Sequence, residues 1–330
     1  MTLLRVVLLC VGLSLLFVPA AQAASIGTVK AYKLPTSTDP HDVTTASDGN
    51  VWFTVQGAFN EETFQNPGQV ARVTPRGDIT EFDVCGQCIL TDIVEGPDGI
   101  LYISDNQGHL RRITTSGQLL EPSIQVDGVF FGDSFEGLAA DSGSVWFADP
   151  FDDRIGRYNV STGEITSYAA ADVTDLAVAD GRVWFTASNA IGELDPAVGV
   201  VSTTPLSGAG RGVAIAPNGT VWVTEIFADL IARLTPSTTE TGPHQLDEFP
   251  TAADAGPLGI AAADDGMWFT QNLRGNIARI SHDGVITEGA KAVDFGSNKR
   301  PDPVGITIGA DGNPWYAESL VDKVATLNIK

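Results

Sequence analysis

Apolar and polar positions follow one short phrase along the chain: a Gly, Asp or Asn turn, an apolar residue, an aromatic residue and usually a second apolar one. The aromatic residues of the phrase are, in order, Trp52, Tyr102, Trp146, Trp184, Trp222, Trp268 and Trp315. They lie 50, 44, 38, 38, 46 and 47 residues apart. This period is the size of one four-stranded antiparallel blade, so the pattern predicts an all-β fold, a seven-bladed β-propeller.

Each repeat divides into four short strands by alternation and turn residues. In the sixth repeat we expect an inner strand at 258–262, a second at 267–270, a third at 276–280 and an outer strand at 285–288. The aromatic residue of each phrase is predicted to fill the wedge between neighbouring sheets.

The two ends of the chain are predicted to form the last blade together. The last repeat supplies three strands, at 305–308, 315–316 and 323–327, and then the chain stops. Residues 28–34 precede the first inner strand and have the pattern of an outer strand. We therefore expect them to close the ring by pairing with the last blade, which removes an exposed sheet edge. Residues 24–330 then form a single domain, with seven repeats from about residue 40.

The first 23 residues have the features of a secretory signal peptide. Arg5 precedes an apolar run from Val6 to Val18, and Ala21-Gln22-Ala23 fits a small-residue cleavage site. Cleavage near Ala23 would give an exported protein, periplasmic or extracellular.

Charge narrows the range of partners. The chain has 19 basic and 41 acidic residues, a formal net charge of −22. Such a field repels nucleic acid and anionic lipid. We expect a monomer without a membrane span, whose partner is a small molecule, peptide or glycan. The acidic excess either serves solubility or places carboxylates around a cation.

Two cysteines, Cys85 and Cys88, lie outside the predicted signal peptide. In an exported protein a local disulfide is the expected state. The alternatives are a redox pair, which normally begins a helix, or half of a metal site, which needs further Cys or His ligands that the sequence does not supply nearby.

Polar residues recur at the predicted rim of the central channel, where inner strands start and second strands end. At the inner-strand start and the position after it stand His41, Asp42, Asp92, Glu136, Asp175 and Arg211. Just beyond the second strand stand Asp105, Asp149, Glu225, Gln271 and Glu318. We predict a ligand-binding rim, because oxygen-rich rings of this kind suit Mg²⁺ or Ca²⁺. The same acids alternatively cap turns and face water. No organic cofactor is expected.

One histidine occupies this rim. His41, followed by Asp42, is a candidate general base if the aspartate orients it. It is alternatively an exposed rim residue without a catalytic role.

The repeat phrase continues in a way that resembles the streptogramin lyase family. After the aromatic residue come Asn-x-Ile-(Gly or Ala)-Arg-Ile, a Gly turn and Ile-Thr-Glu, most plainly in 258–288, 145–166 and 70–81. The resemblance covers essentially the whole chain after the signal peptide, and it implies the seven-bladed fold.

For chemistry, the resemblance implies a Mg²⁺-assisted elimination that linearises a cyclic depsipeptide at its ester, with histidine as the proton carrier. In the family, histidines stand in Pro-His-(Gly or Ala)-Ile at the start of the last two blades. This chain has Leu258 and Val304 at those positions, and neither side chain can carry a proton. The resemblance also implies Asp302 and Glu318 as counterparts of family acids.

Three classes of function follow. One is a lyase of altered substrate range, with His41 as base and a cation held by Asp42, Asp302 and Glu318. The second is a non-catalytic binding module that uses the channel rim, and the third is a protein-interaction scaffold that uses the outer faces of the blades.

Overall fold

The described residues of the computed structural model, 25–57, 67–126, 136–239, 242–291 and 300–329, form seven four-stranded antiparallel sheets. The predicted signal peptide lies outside these ranges. The strands are β1 Thr28–Lys33, β2 Val43–Thr45, β3 Val51–Gln56, β4 Gly68–Val73, β5 Ile79–Cys85, β6 Leu90–Glu95, β7 Ile100–Asp105, β8 His109–Thr114, β9 Ile124–Gln125, β10 Glu136–Ala140, β11 Ser144–Asp149, β12 Arg154–Asn159, β13 Ile165–Ala169, β14 Val173–Ala179, β15 Arg182–Ala187, β16 Ala190–Asp195, β17 Val200–Pro205, β18 Gly210–Ile215, β19 Val221–Glu225, β20 Leu230–Thr235, β21 Gln245–Pro250, β22 Pro257–Ala263, β23 Gly266–Gln271, β24 Asn276–Ile280, β25 Ile286–Glu288, β26 Pro303–Ile308, β27 Pro314–Glu318 and β28 Lys323–Asn328.

Each sheet is one blade, and its strands run outward from the centre in chain order. Blades 1 to 6 take β2–β5, β6–β9, β10–β13, β14–β17, β18–β21 and β22–β25. Blade 7 takes β26, β27 and β28, and then β1 from the other end of the chain. The predicted seven-bladed β-propeller is confirmed.

Ring closure follows the predicted pairing. β1 runs antiparallel to β28, with Thr28 opposite Asn328 and Lys33 opposite Lys323. Without β1, the edge of β28 would expose a row of unpaired backbone groups.

The repeated aromatic residues form the contacts between blades. Trp52 of blade 1 packs with Leu101 and Ile103 of blade 2. Trp315 of blade 7 packs with Phe53 of blade 1, which completes the circle. All seven aromatic side chains are 5% exposed or less, so each fills the space between its own blade and the next.

The polar residues of the phrase hold these rings in place. In blade 3 the indole Nε1 of Trp146 donates to Asp141 of the preceding turn at 2.8 Å. The Arg157 guanidinium of the third strand lies 5.1 Å from the centroid of the same ring. Trp52, with Asp48 and Arg72, repeats the arrangement in blade 1. The turn aspartate and the arginine of the motif therefore stabilise the fold by fixing the position of the indole ring.

A disulfide joins Cys85 at the end of β5 to Cys88 in the turn before β6. It packs directly on Gly68 of β4, where a Cβ atom would lie 2.6 Å from the Cys85 Sγ. The bridge thus stiffens the connection between blades 1 and 2.

No helix within the described ranges is long and apolar enough to cross a membrane.

Candidate functional site

The starts of the inner strands enclose a central cavity of about 430 Å³ at one end of the channel. We call this end of the ring the mouth face. Its lining residues are His41, Asp42, Thr91, Asp92, Gly137, Thr174, Asp175, Arg211, Gly212, Leu258, Gly259, Val304 and Gly305. Of the inner-strand residues predicted for the rim, five line this one cavity: His41, Asp42, Asp92, Asp175 and Arg211.

Three aspartates on this wall each accept a backbone N–H from the following blade. Asp42 accepts from Ile93 at 3.4 Å, and Asp175 accepts from Val213 at 2.8 Å. Asp92 accepts from Leu138 in the same way. These carboxylates therefore join neighbouring inner strands as well as facing the cavity.

Asp42 and Asp92 are coupled to each other. Burial raises the pKa of Asp42, and a side-chain hydrogen bond with Asp92 opposes that rise. Burial and the adjacent Asp42 charge raise the pKa of Asp92 well above its usual range. Two carboxylates in one poorly solvated place cannot both ionise easily, so ionisation of one opposes ionisation of the other. Asp175 is close enough to raise the pKa of Asp42 further.

Glycine occupies the position of these aspartates in the other four blades. A Cβ atom at Gly259 would lie 2.5 Å from the Val304 carbonyl oxygen, and one at Gly212 would lie 2.5 Å from the Leu258 carbonyl oxygen. Inner strands come this close because the sheets converge on the axis. A side chain fits at this position only where the local spacing leaves room, as in blades 1, 2 and 4.

Hydroxyl groups from the second strands connect the inner strands that form the wall. The Thr270 Oγ1 accepts the Gly259 N–H at 2.8 Å and donates to the carbonyl of Val304 in the next blade at 3.0 Å. Thr224 bonds to Gly212 and Leu258 in the same manner. The threonine of the Trp-Phe-Thr phrase is thus an inter-blade bridge.

His41 has an exposed side chain on the cavity wall. Its backbone is fixed, because its N–H donates to Thr54 at 3.0 Å and its carbonyl accepts from Gly305 at 3.1 Å. Asp302 interacts electrostatically with His41 and accepts a hydrogen bond from the Asn272 amide. Burial raises the pKa of Asp302, while Asn272, Arg300 and His41 oppose the rise.

The predicted cation ligands do not converge. Asp42 faces the cavity and pairs with Asp92, whereas Asp302 is bound to Asn272. Glu318 is 1% exposed, lies near Lys323, and has its pKa raised to about 7 by burial. Within the described ranges, no group of three or more His, Cys, Asp or Glu side chains is placed to hold a metal ion. The described residues therefore do not fit a Mg²⁺ or Ca²⁺ site built from these three acids.

The acids and the amide predicted just beyond the second strands are fully buried inside their blades. Asp105 pairs with Arg111 at 2.7 Å, and Asp149 pairs with Arg154 at 2.8 Å. Gln271 donates to Glu288 at 2.7 Å, and Glu225 accepts from the Gly208 N–H. These four side chains are at most 1% exposed and do not line the cavity.

This placement corrects the expectation that those residues surround the channel. The second strand lies one strand farther from the axis than the inner strand, and loops between blades cover its end. Glu136 begins β10, but its side chain lies outside the described part of the chain.

Arg211 of blade 5 and two aliphatic residues of blades 6 and 7 complete the wall. Arg211 is partly exposed on the cavity wall. Leu258 and Val304 supply the apolar surface of blades 6 and 7. The wall therefore has a carboxylate side, one cation and an aliphatic side.

Comparison with known proteins places the chain among β-propellers of one family. The profile of the virginiamycin B lyase family matches residues 60–240 and 174–330. A virginiamycin B lyase of Nocardia farcinica (strain IFM 10152) is 33% identical over 153 residues, 46% of this chain and 53% of that protein. The matched stretch thus spans about half the length of this relative.

Solved structures share the fold. A streptogramin B lyase structure superposes with a TM-score of 0.78 at 24% identity, covering 92% of this chain and 98% of the other. A catalytically inactive variant of virginiamycin B lyase from Staphylococcus aureus with quinupristin gives 0.76 at 22% identity, covering 92% and 99%. Because the family profile matches most of its length, the chain belongs to the virginiamycin B lyase family.

Proposed function

We propose that this protein is an exported binding member of its family, which holds a small organic ligand in the central cavity and does not open cyclic depsipeptide esters. One observation carries the proposal: Leu258 and Val304 occupy the cavity wall at the two positions where the family motif has histidine. The family name then describes the fold and not the reaction.

The step of the family's elimination reaction for which this chain lacks the expected residues is proton transfer. Elimination at an ester needs a base to remove a proton and stabilisation of the charge that develops. His41 is the histidine on the described wall, but it stands in blade 1, beside Gly305 of blade 7, and not at either of the two positions of the family histidines. The described acids also do not gather around a metal position that could provide charge stabilisation.

The cavity itself has the properties of a ligand site. Its volume, about 430 Å³, lies within the usual range of about 300 to 1,000 Å³ for small-molecule pockets. Carboxyl groups from blades 1, 2 and 4, the Arg211 guanidinium and aliphatic surface from blades 6 and 7 meet there. This mixture favours an organic molecule with both charged and apolar parts.

The test is a binding screen of residues 24–330 with a matched cavity-filling variant. We would measure thermal shifts with quinupristin, amines, amino acids, dipeptides and oligosaccharides, and follow hits by calorimetry. The variant Leu258→Trp fills the cavity, and Val198→Trp adds the same bulk on an exposed turn elsewhere. We expect one-to-one binding that Leu258→Trp weakens at least tenfold and Val198→Trp leaves unchanged. Ligand binding that is equally tight in the wild type and in Leu258→Trp contradicts the proposal.

A further inference from the structure

Four large apolar side chains project from equivalent positions around the mouth face. Each stands two residues after the end of the second strand of its blade, at the tip of the loop to the third strand. They are Phe151, Phe227, Leu273 and Leu320, with exposures of 59%, 80%, 45% and 47%. We call these four residues the apolar rim. A single exposed apolar residue is ordinary, but repetition at one structural position in four blades is not.

The loops that carry the apolar rim are tight turns. Each turn has a left-handed residue two positions after the apolar one: Asp153, Asp229, Gly275 and Asp322, with φ between 50° and 70°. In blade 6 the N–H groups of Arg274 and Gly275 both donate to the Gln271 carbonyl, at 3.0 and 2.9 Å. Such closure fixes the direction of the tip.

Three of these turns are also fastened to the segment that leads into the next blade. The Asp229 carboxylate accepts the N–H groups of Asp254 and Gly256, both at 2.9 Å. Asp153 accepts from Asp172 at 3.3 Å, and Asp322 accepts from Asp39 at 3.3 Å. The apolar side chains are therefore held outward by an ordered frame, at the cost of leaving them in water.

The surface inside the rim is acidic. Second strands end where inner strands begin, as the pairing of Pro257 with Gln271 shows, so the rim and the cavity mouth lie on the same face. Below the rim the cavity presents the carboxyl groups of Asp42, Asp92 and Asp175, which outnumber the Arg211 guanidinium, in a chain of net charge −22. A ligand that covers the rim with apolar groups and places a cation in the centre would complement both features.

We propose that the mouth face binds a peptide whose apolar side chains pack on the rim and whose amine or guanidinium group enters the cavity beside the aspartates. A peptide is the ligand class that combines several apolar side chains with a basic group in one chain. This inference rests on the proposed ligand-binding role of the cavity and names the class of ligand.

The experiment is selection from a random heptapeptide library displayed on phage, with residues 24–330 as the target. Three variants are used beside the wild type. The rim variant carries Phe151→Ser, Phe227→Ser, Leu273→Ser and Leu320→Ser. The matched control carries Val198→Ser and Val285→Ser. These two exposed apolar residues lie between the third and fourth strands of blades 4 and 6, on the face opposite the mouth face. The third is the cavity variant Leu258→Trp. Each must keep the wild-type melting temperature, and Phe151→Ser with Phe227→Ser alone replaces a rim variant that does not.

We expect selected peptides to combine Phe, Leu, Trp or Tyr with Lys or Arg. Synthesised and labelled, they should bind at least tenfold more weakly to the rim variant and to the cavity variant, and equally well to the matched control. Acetylation of their amines should weaken binding by a similar factor.

Three results overturn the proposal: no enrichment on the wild type over the rim variant, selection of acidic peptides, or peptide binding that one of the two weakening variants leaves unchanged. The small-molecule screen judges the cavity separately. Compounds that bind the wild type and the rim variant but not Leu258→Trp would uphold the proposed function even where the peptide selection contradicts the peptide inference.

Discussion

The Thr186 hydroxyl of blade 4 donates to the Arg211 carbonyl of blade 5 at 2.8 Å. The same oxygen accepts the Asp175 N–H at 3.1 Å, so one side chain connects two inner strands at the cavity wall. The bridge explains why the repeat phrase ends in threonine in several blades.

Replacing this hydroxyl by a methyl group should destabilise the protein. Thr186→Val leaves the Arg211 carbonyl and the Asp175 N–H without this partner in a fully buried place, which costs about 1 to 3 kcal/mol. Urea unfolding measures the change. The same substitution at exposed Thr203 on β17 is the control and should change the free energy of unfolding by less than about 0.5 kcal/mol. Equal effects at both positions would show that the bridge adds nothing.

Adding one methyl group to an inner strand should separate two blades. In Gly259→Ala the new Cβ would lie 2.5 Å from the Val304 carbonyl oxygen, so the backbone must move. We expect a loss of about 1 to 3 kcal/mol in unfolding free energy. Gly86→Ala, whose Cβ would meet nothing within 4 Å, is the matched control. A Gly259→Ala protein as stable as this control would mean that the inner strands are free to spread.

Stability should fall as pH rises from about 5 to 8. Burial raises the pKa of Glu225 and of Glu318 to about 7, above the usual 4.5. A carboxyl that holds its proton more tightly when folded stabilises the fold at low pH, and this contribution is lost as pH rises through the folded pKa. Each carboxyl contributes up to about 3 kcal/mol to this fall in unfolding free energy.

The matched variants isolate that effect. Glu225→Gln with Glu318→Gln should flatten the decline of unfolding free energy between pH 5 and 8, whereas exposed Glu164→Gln should leave it unchanged. A double variant with the full wild-type slope would assign the pH dependence to other groups, with the Asp42–Asp92 pair first among them.

The disulfide should matter little to global stability. Cys85 and Cys88 are three positions apart, and closing so short a loop removes about 2 kcal/mol of chain entropy from the unfolded state. We expect Cys85→Ser with Cys88→Ser to lower the melting temperature by no more than about 5 °C. A fall of more than about 15 °C would reveal that the bridge holds blades 1 and 2 together.

The fold can be predicted from the sequence because the same phrase of apolar, aromatic and turn residues recurs in every blade. Every blade places the same aromatic residue in the same wedge, so Trp52 and Trp315 were assigned correctly without knowledge of their neighbours. The ring closure followed from counting strands at the two ends, and β1 pairs with β28 as expected.

The site was only partly predictable. Inner-strand residues such as Asp42 and Arg211 line the cavity, because their position relative to the axis is fixed by the strand order. The sequence predicts Asp105 and Gln271 at the same rim, but Asp105 is buried in an ion pair and Gln271 in a hydrogen bond. Whether a loop covers the end of a second strand depends on packing between blades, which the spacing of residues does not encode.

The apolar rim was not recognised in the sequence. Its signal was present, since Phe151 and Phe227 each stand two residues after a buried acid and two before an aspartate. The meaning of that spacing appears only when the turns are seen to share one face.

The most direct test of the central claim is an assay of quinupristin ring opening by residues 24–330, with and without Mg²⁺, followed by mass spectrometry. A confirmed virginiamycin B lyase is the positive control, and His41→Ala is assayed in parallel. We predict no ring-opened product above the enzyme-free control for this protein, because Leu258 and Val304 cannot carry protons. Multiple turnovers by the wild type, lost in His41→Ala, would contradict the account and establish a lyase that works from blade 1.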